Sequence, residues 1–349
     1  MNFSKEIISS IDQKDIFKIK LTNSNNFSIT FFNYGGYIHN ILIPNIANNI
    51  NEDVVLGYKN FNGYLKDSSY FNCITGRVCG RIGKSQFYLN NKQYKLFSNL
   101  GSDHLHGGKF GFNKKIWSIV DIQQDVDKIT CRLNYLSSHM EEGYPGNLNC
   151  NVNYTLNNKN EFIIKFEAES DEDTIVNLTN HNYWNFHGHK DNYQNLLDHK
   201  VRLFASNYLD TSKELIPTGI IKTILDKKID FREFKDITKE ILAEGGNNLC
   251  YEVDSYNGKI KKIAEIYSNK TKIGMQLSSD QPGLQFYTGN FMDDYYDGKF
   301  SRNYGYQHGI CLEPQLFPDA INHSNFKSPI IGLNDIYSST IKMTLKNNF

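Results

Sequence analysis

The chain has 349 residues, and its 39% hydrophobic and 13% aromatic content is enough for a large buried core. Its 38 Lys and Arg residues balance 38 Asp and Glu residues, which excludes the strong basic field of proteins that bind nucleic acid or anionic membranes. We therefore expect a small, neutral ligand and no nucleic-acid partner.

The first 15 residues carry charges at Lys5, Glu6 and Asp12 and contain no apolar run long enough for a signal peptide or a membrane span. The six cysteines are scattered without a CxxC pair, and a chain of this length needs no disulfide framework. These features predict a cytoplasmic protein with reduced, buried cysteines and no membrane partner.

Apolar residues recur mainly at every second position, which is typical of strands with one buried face. The clearest runs, in chain order, are 129–135, 150–156, 161–170, 263–267 and 273–277. Turn-forming residues at 157–160 and at 268–271 join neighbouring runs, so each pair is predicted to form a hairpin. An antiparallel arrangement describes this order most simply.

Helical patterns are few, and the clearest covers residues 236–244, where Asp236 could cap the start and Gly245 could end the helix. The chain shows no repeat of fixed period, no Pro-rich linker and no break in composition. The sequence therefore predicts an all-β fold, a large antiparallel two-sheet β-sandwich with few short helices, formed as a single domain over residues 1–349.

Four polar segments interrupt the alternating pattern, and such loops on a rigid sheet often carry functional sites. The first, residues 76–87, is Gly-rich and contains Arg77 and Arg81. An arginine can hold vicinal hydroxyls or a carboxylate through two parallel hydrogen bonds. The alternative is a Gly-rich turn with solvated or ion-paired arginines. No helical pattern follows the segment, which argues against a phosphate-binding loop.

The second and third segments are rich in histidine. His104 and His106 would lie on one face of an extended strand, where they could ligate a metal. The third segment adds His181, His187 and His189. No cysteine lies at ligand spacing and few acidic companions are present, so acid–base or hydrogen-bonding roles are favoured and no metal site is predicted.

The fourth segment, residues 309–323, contains Glu313 directly after the apolar run 310–312. A carboxylate with apolar neighbours at a strand end is partly desolvated, which raises its pKa towards that of a useful base. The alternative is a glutamate that is paired with a nearby Lys or Arg.

Ten segments of the chain, taken in order, resemble the aldose 1-epimerases, also called galactose mutarotases. They are NYGGYI from Asn33, DVVLGY from Asp53, GRVCGRIGKSQF from Gly76, HLHGG from His104, EEGYPGNL from Glu141, NLTNHNYWNF from Asn177, IPTG from Ile216, DFREF from Asp230, QPGLQFYTGNF from Gln281 and CLEPQLFPDAINH from Cys311. Each segment alone is a weak signal, but their common order along nearly the whole chain is specific.

The resemblance implies a β-sandwich of the galactose mutarotase-like supersandwich type, without metal or cofactor. It also implies an isomerase that interconverts the α and β anomers of free aldohexoses such as galactose and glucose. By position, the catalytic base falls on Glu313, the catalytic acid on His181 and a second active-site histidine on His106. Arg81 and Gln285 match sugar-binding contacts. We expect a small-molecule sugar substrate and a monomer or homodimer, and aromatic rings in segment 281–291 could stack on the sugar.

One position departs from the family pattern. The family usually has an aspartate that binds sugar hydroxyls where this chain has Asn248, with Asn247 as the alternative alignment. An amide keeps an acceptor oxygen and adds donors but removes a charge. Hydroxyl binding could therefore persist more weakly or with a different sugar preference.

The mechanism that the resemblance implies needs one base and one acid. Glu313 would take the proton of the C1 hydroxyl while protonated His181 gives a proton to the ring oxygen. The ring opens, rotation about C1–C2 presents the other face of the aldehyde, and closure gives the other anomer.

Two other functions are compatible with the same scaffold. A non-catalytic sugar-binding protein gains some support from Asn248, although pure binding needs no titratable pair. A hexose-6-phosphate 1-epimerase would need cations for the phosphate, and the candidates are Lys109, Lys114 and Lys115.

Overall fold

The computed structural model describes residues 1–45, 50–189, 196–292 and 296–349. The strands of the first half are β1 (Asn2–Ile11), β2 (Lys14–Thr22), β3 (Ser28–Phe32), β4 (Ile38–Asn45), β5 (Ile50–Asp53), β6 (Ile74–Thr75), β7 (Arg81–Ile82), β8 (Gln86–Leu89), β9 (Lys92–Lys95), β10 (His104–Leu105), β11 (Ser118–Gln124), β12 (Lys128–Ser137), β13 (Leu148–Asn157) and β14 (Glu161–Ser170). Those of the second half are β15 (Thr174–Ile175), β16 (Thr179–Asn180), β17 (His199–Leu203), β18 (Asn207–Thr211), β19 (Pro217–Thr223), β20 (Lys235–Asp236), β21 (Asn248–Glu252), β22 (Lys261–Ser268), β23 (Gly274–Ser279), β24 (Gly283–Tyr287), β25 (Tyr296–Asp297), β26 (Asn303–Tyr304), β27 (Cys311–Gln315), β28 (Ile330–Ile331) and β29 (Tyr337–Lys346).

Helix is scarce in the described part of the chain. It comprises α1 (Phe61–Leu65), α2 (Lys239–Ala243) and five single 3-10 turns at Gly83–Ser85, Phe112–Lys114, Glu141–Gly143, Lys299–Ser301 and Ala320–Asn322. No helix among these residues is long and apolar enough to cross a membrane.

Three larger antiparallel sheets form the molecule. Their strand orders are β1-β2-β3-β4-β5, β11-β12-β13-β14-β29-β23-β22-β17-β20 and β19-β18-β21-β24-β27. One continuous apolar core joins buried residues of all three sheets, such as Ile29, Phe166 and Phe286. Burial of each such side chain contributes about 1.5–3 kcal/mol. The predicted all-β antiparallel sandwich is confirmed, but it has three larger sheets instead of the two that were expected.

The predicted hairpin of β13 and β14 is confirmed. The two strands pair from Leu148↔Ser170 to Leu156↔Phe162, and their alternate residues are fully buried in the core. The six cysteines are also free and buried, as predicted.

Two local predictions were wrong. In β22, a register shift between Lys262 and Ala264 makes Ile263 an extra residue, so Ala264 and Ile266 face the core instead of Glu265 and Tyr267. The helix predicted at 236–244 begins only at Lys239, because Asp236 pairs with Lys200 as part of a short strand. Its predicted end is correct, since the Gly245 amide donates to the Leu242 carbonyl.

Candidate active site

A cavity of about 270 Å³ lies over the sheet β19-β18-β21-β24-β27. This volume is near the lower end of the roughly 300–1,000 Å³ range usual for small-molecule sites, so the cavity suits a small ligand. All six residues predicted from the sequence line it: Arg81, His106, His181, Asn248, Gln285 and Glu313.

The sheet side of the cavity follows from strand pairing. Cys250, Gln285 and Glu313 are direct neighbours across β21, β24 and β27, and all three line the cavity. Because side chains alternate along a strand, the intervening Leu284 and Leu312 enter the core on the other face. The period-two pattern therefore fixes which face of β27 presents Glu313.

Glu313 is a buried carboxyl group at the edge of this sheet, with only 2% of its surface exposed. Burial raises its pKa to about 8, and the positive charge of Arg81 opposes this shift only in part. The next residue, Pro314, has no amide hydrogen to donate and is tolerated because β27 is an edge strand. The predicted upward shift of the Glu313 pKa is confirmed in direction.

His181 follows β16, which pairs with β6, and its backbone amide donates to the Cys73 carbonyl at 3.0 Å. This pairing aims the ring at Glu313, and Nε2 lies 3.6 Å from Oε1. The ring of Tyr183 stacks on it at a centroid distance of 5.0 Å. Burial lowers the pKa of His181 to about 4. The prediction that His181 is protonated near neutrality is therefore wrong for the free site.

His106 lies beside His181, with ring centroids 5.2 Å apart. The Gly80 amide donates to Nδ1 of His106 at 3.2 Å, so the neutral ring carries its proton on Nε2. The turn after His106 needs glycine, because a Cβ on Gly107 would lie 1.7 Å from the Gly76 carbonyl oxygen. Burial lowers the pKa of His106 well below its ordinary value, which keeps the ring a neutral donor.

His104 does not share this face. Its Nδ1 contacts the Phe97 carbonyl at 2.8 Å and its Nε2 contacts the Tyr144 hydroxyl, within the protein interior. The expectation of two histidines on one face fails because β10 ends at Leu105 and His106 has a φ of +50°. A metal pair of His104 and His106 is thus ruled out by orientation.

The two arginines of the Gly-rich segment have different surroundings. Arg77 is buried and donates to the carbonyls of Ser137, Pro145 and Gly146, which is a structural role. Arg81 lines the cavity, and its Nε is buried without a hydrogen-bond partner among the described residues. Only Arg81 is therefore placed to bind a ligand.

The two asparagines at 247–248 have different surroundings. Asn248 lines the cavity, and its Oδ1 accepts a hydrogen bond of 2.8 Å from Nε2 of Gln285. Asn247 is buried, and its side-chain amide donates to the Tyr251 hydroxyl at 2.8 Å. Asn248 is therefore the one of the two amides that faces the cavity.

Sequence reasoning missed several cavity residues. They are Tyr70, Tyr183 and Gln315, whereas Tyr287 and Phe291 also line the site and belong to segment 281–291, whose aromatic rings were expected to contact the sugar. Gln315 could have been found, because it lies two residues after Glu313 and so on the same strand face. Tyr70 had no such signal, since its loop is positioned by Asp67, whose carboxylate accepts the amide hydrogens of Ser69 and Phe71.

The remaining histidines of the third segment are apart from the cavity. His187 contacts Ser268 and the Leu197 carbonyl, and His189 contacts the Val55 carbonyl and Tyr304. His181, Cys311 and Glu313 do bring potential ligand atoms within 4.8 Å of one another.

The trio surrounds one imidazole ring. Its histidine ring directs Nδ1 to Cys311 and Nε2 to Glu313, on opposite edges. Each of the two neighbours thus contacts its own nitrogen of the ring.

Comparison with known proteins identifies a family for this chain. A sequence model of the family described as Aldose 1-epimerase matches residues 18–344. The galactose mutarotase of Bos taurus is 35% identical over 289 residues, which are 82% of this chain and 82% of the relative. The aldose 1-epimerase of Streptococcus thermophilus is 32% identical over 338 residues, covering 95% of this chain and 94% of the relative.

A solved structure supports the fold. The crystal structure of galactose 1-epimerase from Lactobacillus acidophilus has a TM-score of 0.86 to this chain at 23% identity, and it covers 100% of this chain and 99% of its own. The family match, the relatives and the shared fold lead to one conclusion: this chain belongs to the aldose 1-epimerase family of isomerases.

Proposed function

We propose that the protein is an aldose 1-epimerase that interconverts the α and β anomers of free aldohexoses such as galactose and glucose. One observation carries the proposal: Nε2 of His181 lies 3.6 Å from Oε1 of Glu313 in a cavity of about 270 Å³. Two opposed groups that exchange protons are what ring opening requires, and a protein that only binds sugar has no need of them.

The pair performs the reaction with one proton. In the ionised arrangement, Glu313 takes the proton of the C1 hydroxyl and His181 donates its proton to the ring oxygen as the C1–O5 bond breaks. The product is the open aldehyde beside a carboxylic acid and a neutral imidazole. Burial favours this neutral pair, so the protein environment matches the ring-opened state. Rotation about C1–C2 and the reverse transfers close the ring to the other anomer.

Arg81 and His106 act as fixed donors. The Arg81 guanidinium stabilises the carboxylate form of Glu313, and it lines the cavity in which a sugar oxygen would bind. Nε2–H of His106 can donate in the same way. Such pre-oriented donors stabilise the charge that develops on oxygen as the ring opens. Asn248 and Gln285, already joined to each other, would bind the outer hydroxyls.

Phosphorylated hexoses are less favoured as substrates. Lys114 donates to the Asp67 carbonyl at 2.6 Å and Lys115 pairs with Glu141 at 2.6 Å. The Lys109 ammonium lies over the rings of Phe97 and Phe110. Within the described chain, none of the three lysines lines the cavity. Equal rates on glucose and glucose 6-phosphate would contradict this reasoning.

Substitution of the carboxyl group tests the mechanism. Glu313→Gln keeps the size of the side chain but cannot take a proton, so kcat should fall by about 10²–10⁴ while sugar affinity stays within a few-fold. Exchange NMR on galactose and glucose measures the rate, and calorimetry measures binding. Glu265→Gln, a buried glutamate on β22, is the matched control.

The outcomes separate the alternatives. Wild-type rates in folded Glu313→Gln would exclude Glu313 as the base. Sugar binding by the wild-type protein without faster anomer exchange would instead support a non-catalytic sugar-binding protein.

Three further expectations remain proposals. A single domain over 1–349 is supported by strand β29, which pairs with β14 and β23 in one sheet, and by one family match over 18–344. The cytoplasmic location and the monomeric or homodimeric state rest on the sequence alone.

A further inference from the structure

One side chain in contact with His181 has no role in the mechanism described so far. Sγ of Cys311 lies 3.5 Å from Nδ1 of His181. Cys311 is fully buried and begins β27 two residues before Glu313, so both side chains leave the same face of the strand. The two edges of the His181 ring therefore face two residues of one rigid strand.

The thiol keeps its proton under working conditions. Burial, together with the nearby negative charge of Glu313, raises the pKa of Cys311 well above its ordinary value. A protonated thiol is a weak donor and also a weak acceptor. It can accept a hydrogen bond from Nδ1–H of the neutral ring, which leaves the lone pair on Nε2 free to take a proton. It can also accept from Nδ1–H when the ring is protonated.

The aromatic neighbours of the ring do not select a tautomer in this way. The titratable groups that face His181 from neighbouring segments are Glu313, Cys311, His106, Tyr70, Tyr183 and Tyr287. The tyrosines and His106 contact it as rings, and Glu313 contacts Nε2. The carbonyl of His181 itself favours the protonated ring but does not outweigh burial.

We propose that Cys311 is a positioning residue for anomer exchange: its thiol holds the His181 ring with Nε2 towards Glu313 and the sugar in both protonation states. The inference rests on the proposed function of His181 as the acid. A thiol suits this position because it adds no charge. A carboxylate there would stabilise the imidazolium and hold the shared proton on His181.

The test measures the ring directly as well as the rate. Long-range ¹H–¹⁵N NMR of the full-length protein reports which nitrogen of His181 carries the proton, and His181→Asn assigns the signal. We expect the Nδ1–H tautomer, with no proton on Nε2, in the wild type and in Cys311→Ser, but a mixture of tautomers in Cys311→Ala. Because a neutral hydrogen bond contributes about 1 kcal/mol, kcat should fall about 3- to 10-fold in Cys311→Ala, with KM within about twofold.

The control is Cys131→Ala, which removes a fully buried thiol from the core strand β12 without touching the cavity. It should alter thermal stability but neither the His181 signal nor kcat. Recovery of kcat in Cys311→Ser to within about threefold of wild type would support a hydrogen-bonding role.

An unchanged His181 tautomer and an unchanged kcat in Cys311→Ala would overturn the proposal. If Cys311→Ala does not fold, Cys311→Ser decides, since an unaltered ¹⁵N shift on exchange of sulfur for oxygen would show that no bond exists. The NMR measurement of the His181 tautomer does not depend on enzyme activity. If Glu313→Gln proved fully active, the proposed function would fail while the tautomer measurement kept its meaning.

Discussion

The rate of anomer exchange should depend on pH through the single proton that His181 and Glu313 share. Burial raises the pKa of Glu313 to about 8 and lowers the pKa of His181 to about 4. Between these values the pair holds one proton, whichever of the two residues carries it. The reaction needs one proton on the pair, because one group accepts a proton while the other donates one.

The value of kcat/KM should therefore fall at both high and low pH. As pH rises above about 8, Glu313 loses the shared proton and His181 has none to donate, so kcat/KM should fall about tenfold for each further unit. As pH falls below about 4, the pair gains a second proton, which His181 takes up, and no base remains. The value of kcat/KM should then again fall about tenfold per pH unit. A plateau is expected between the two limits.

The assay is exchange NMR on galactose at concentrations well below KM, with the uncatalysed rate subtracted at each pH. Circular dichroism at each pH shows whether the protein remains folded. A kcat/KM that rises about tenfold per unit from pH 5 to pH 8 would refute the one-proton reasoning. It would show that the active form combines an ionised Glu313 with a neutral His181.

Two further predictions concern the binding residues. Arg77→Met should lower the free energy of unfolding by several kcal/mol, roughly 1 for each buried carbonyl left without a donor, whereas Arg81→Met should leave stability nearly unchanged and raise KM for galactose about tenfold. Denaturant unfolding and exchange NMR separate the two effects, and equal losses of stability would contradict the assignment. Asn248→Asp should lower KM for galactose about three- to tenfold, because a carboxylate accepts stronger hydrogen bonds from hydroxyls. The binding role of Asn248 would be contradicted by an unaltered KM in this variant.

The sequence alone predicted the antiparallel strands and several hairpins, because alternation and turn residues are local signals that strand geometry reads directly. It could not predict the extra residue at Ile263, which depends on how β22 registers against β23. Nor could it separate Arg77 from Arg81, since both lie in one Gly-rich segment. Their difference comes from tertiary packing, because the Arg77 guanidinium meets carbonyls of distant segments and Arg81 lines the cavity.

For the site, the order of segments in the sequence was enough to identify all six candidate residues, and the structure brings them to one cavity. The protonation states of these residues could not be predicted from the sequence in the same way. The direction of the Glu313 shift followed from its apolar neighbours in the chain, but the low pKa of His181 and its contact with Cys311 did not. Local sequence sets which side chains a strand presents. Only the tertiary packing of distant segments removes water from those side chains and decides which of them hold a proton.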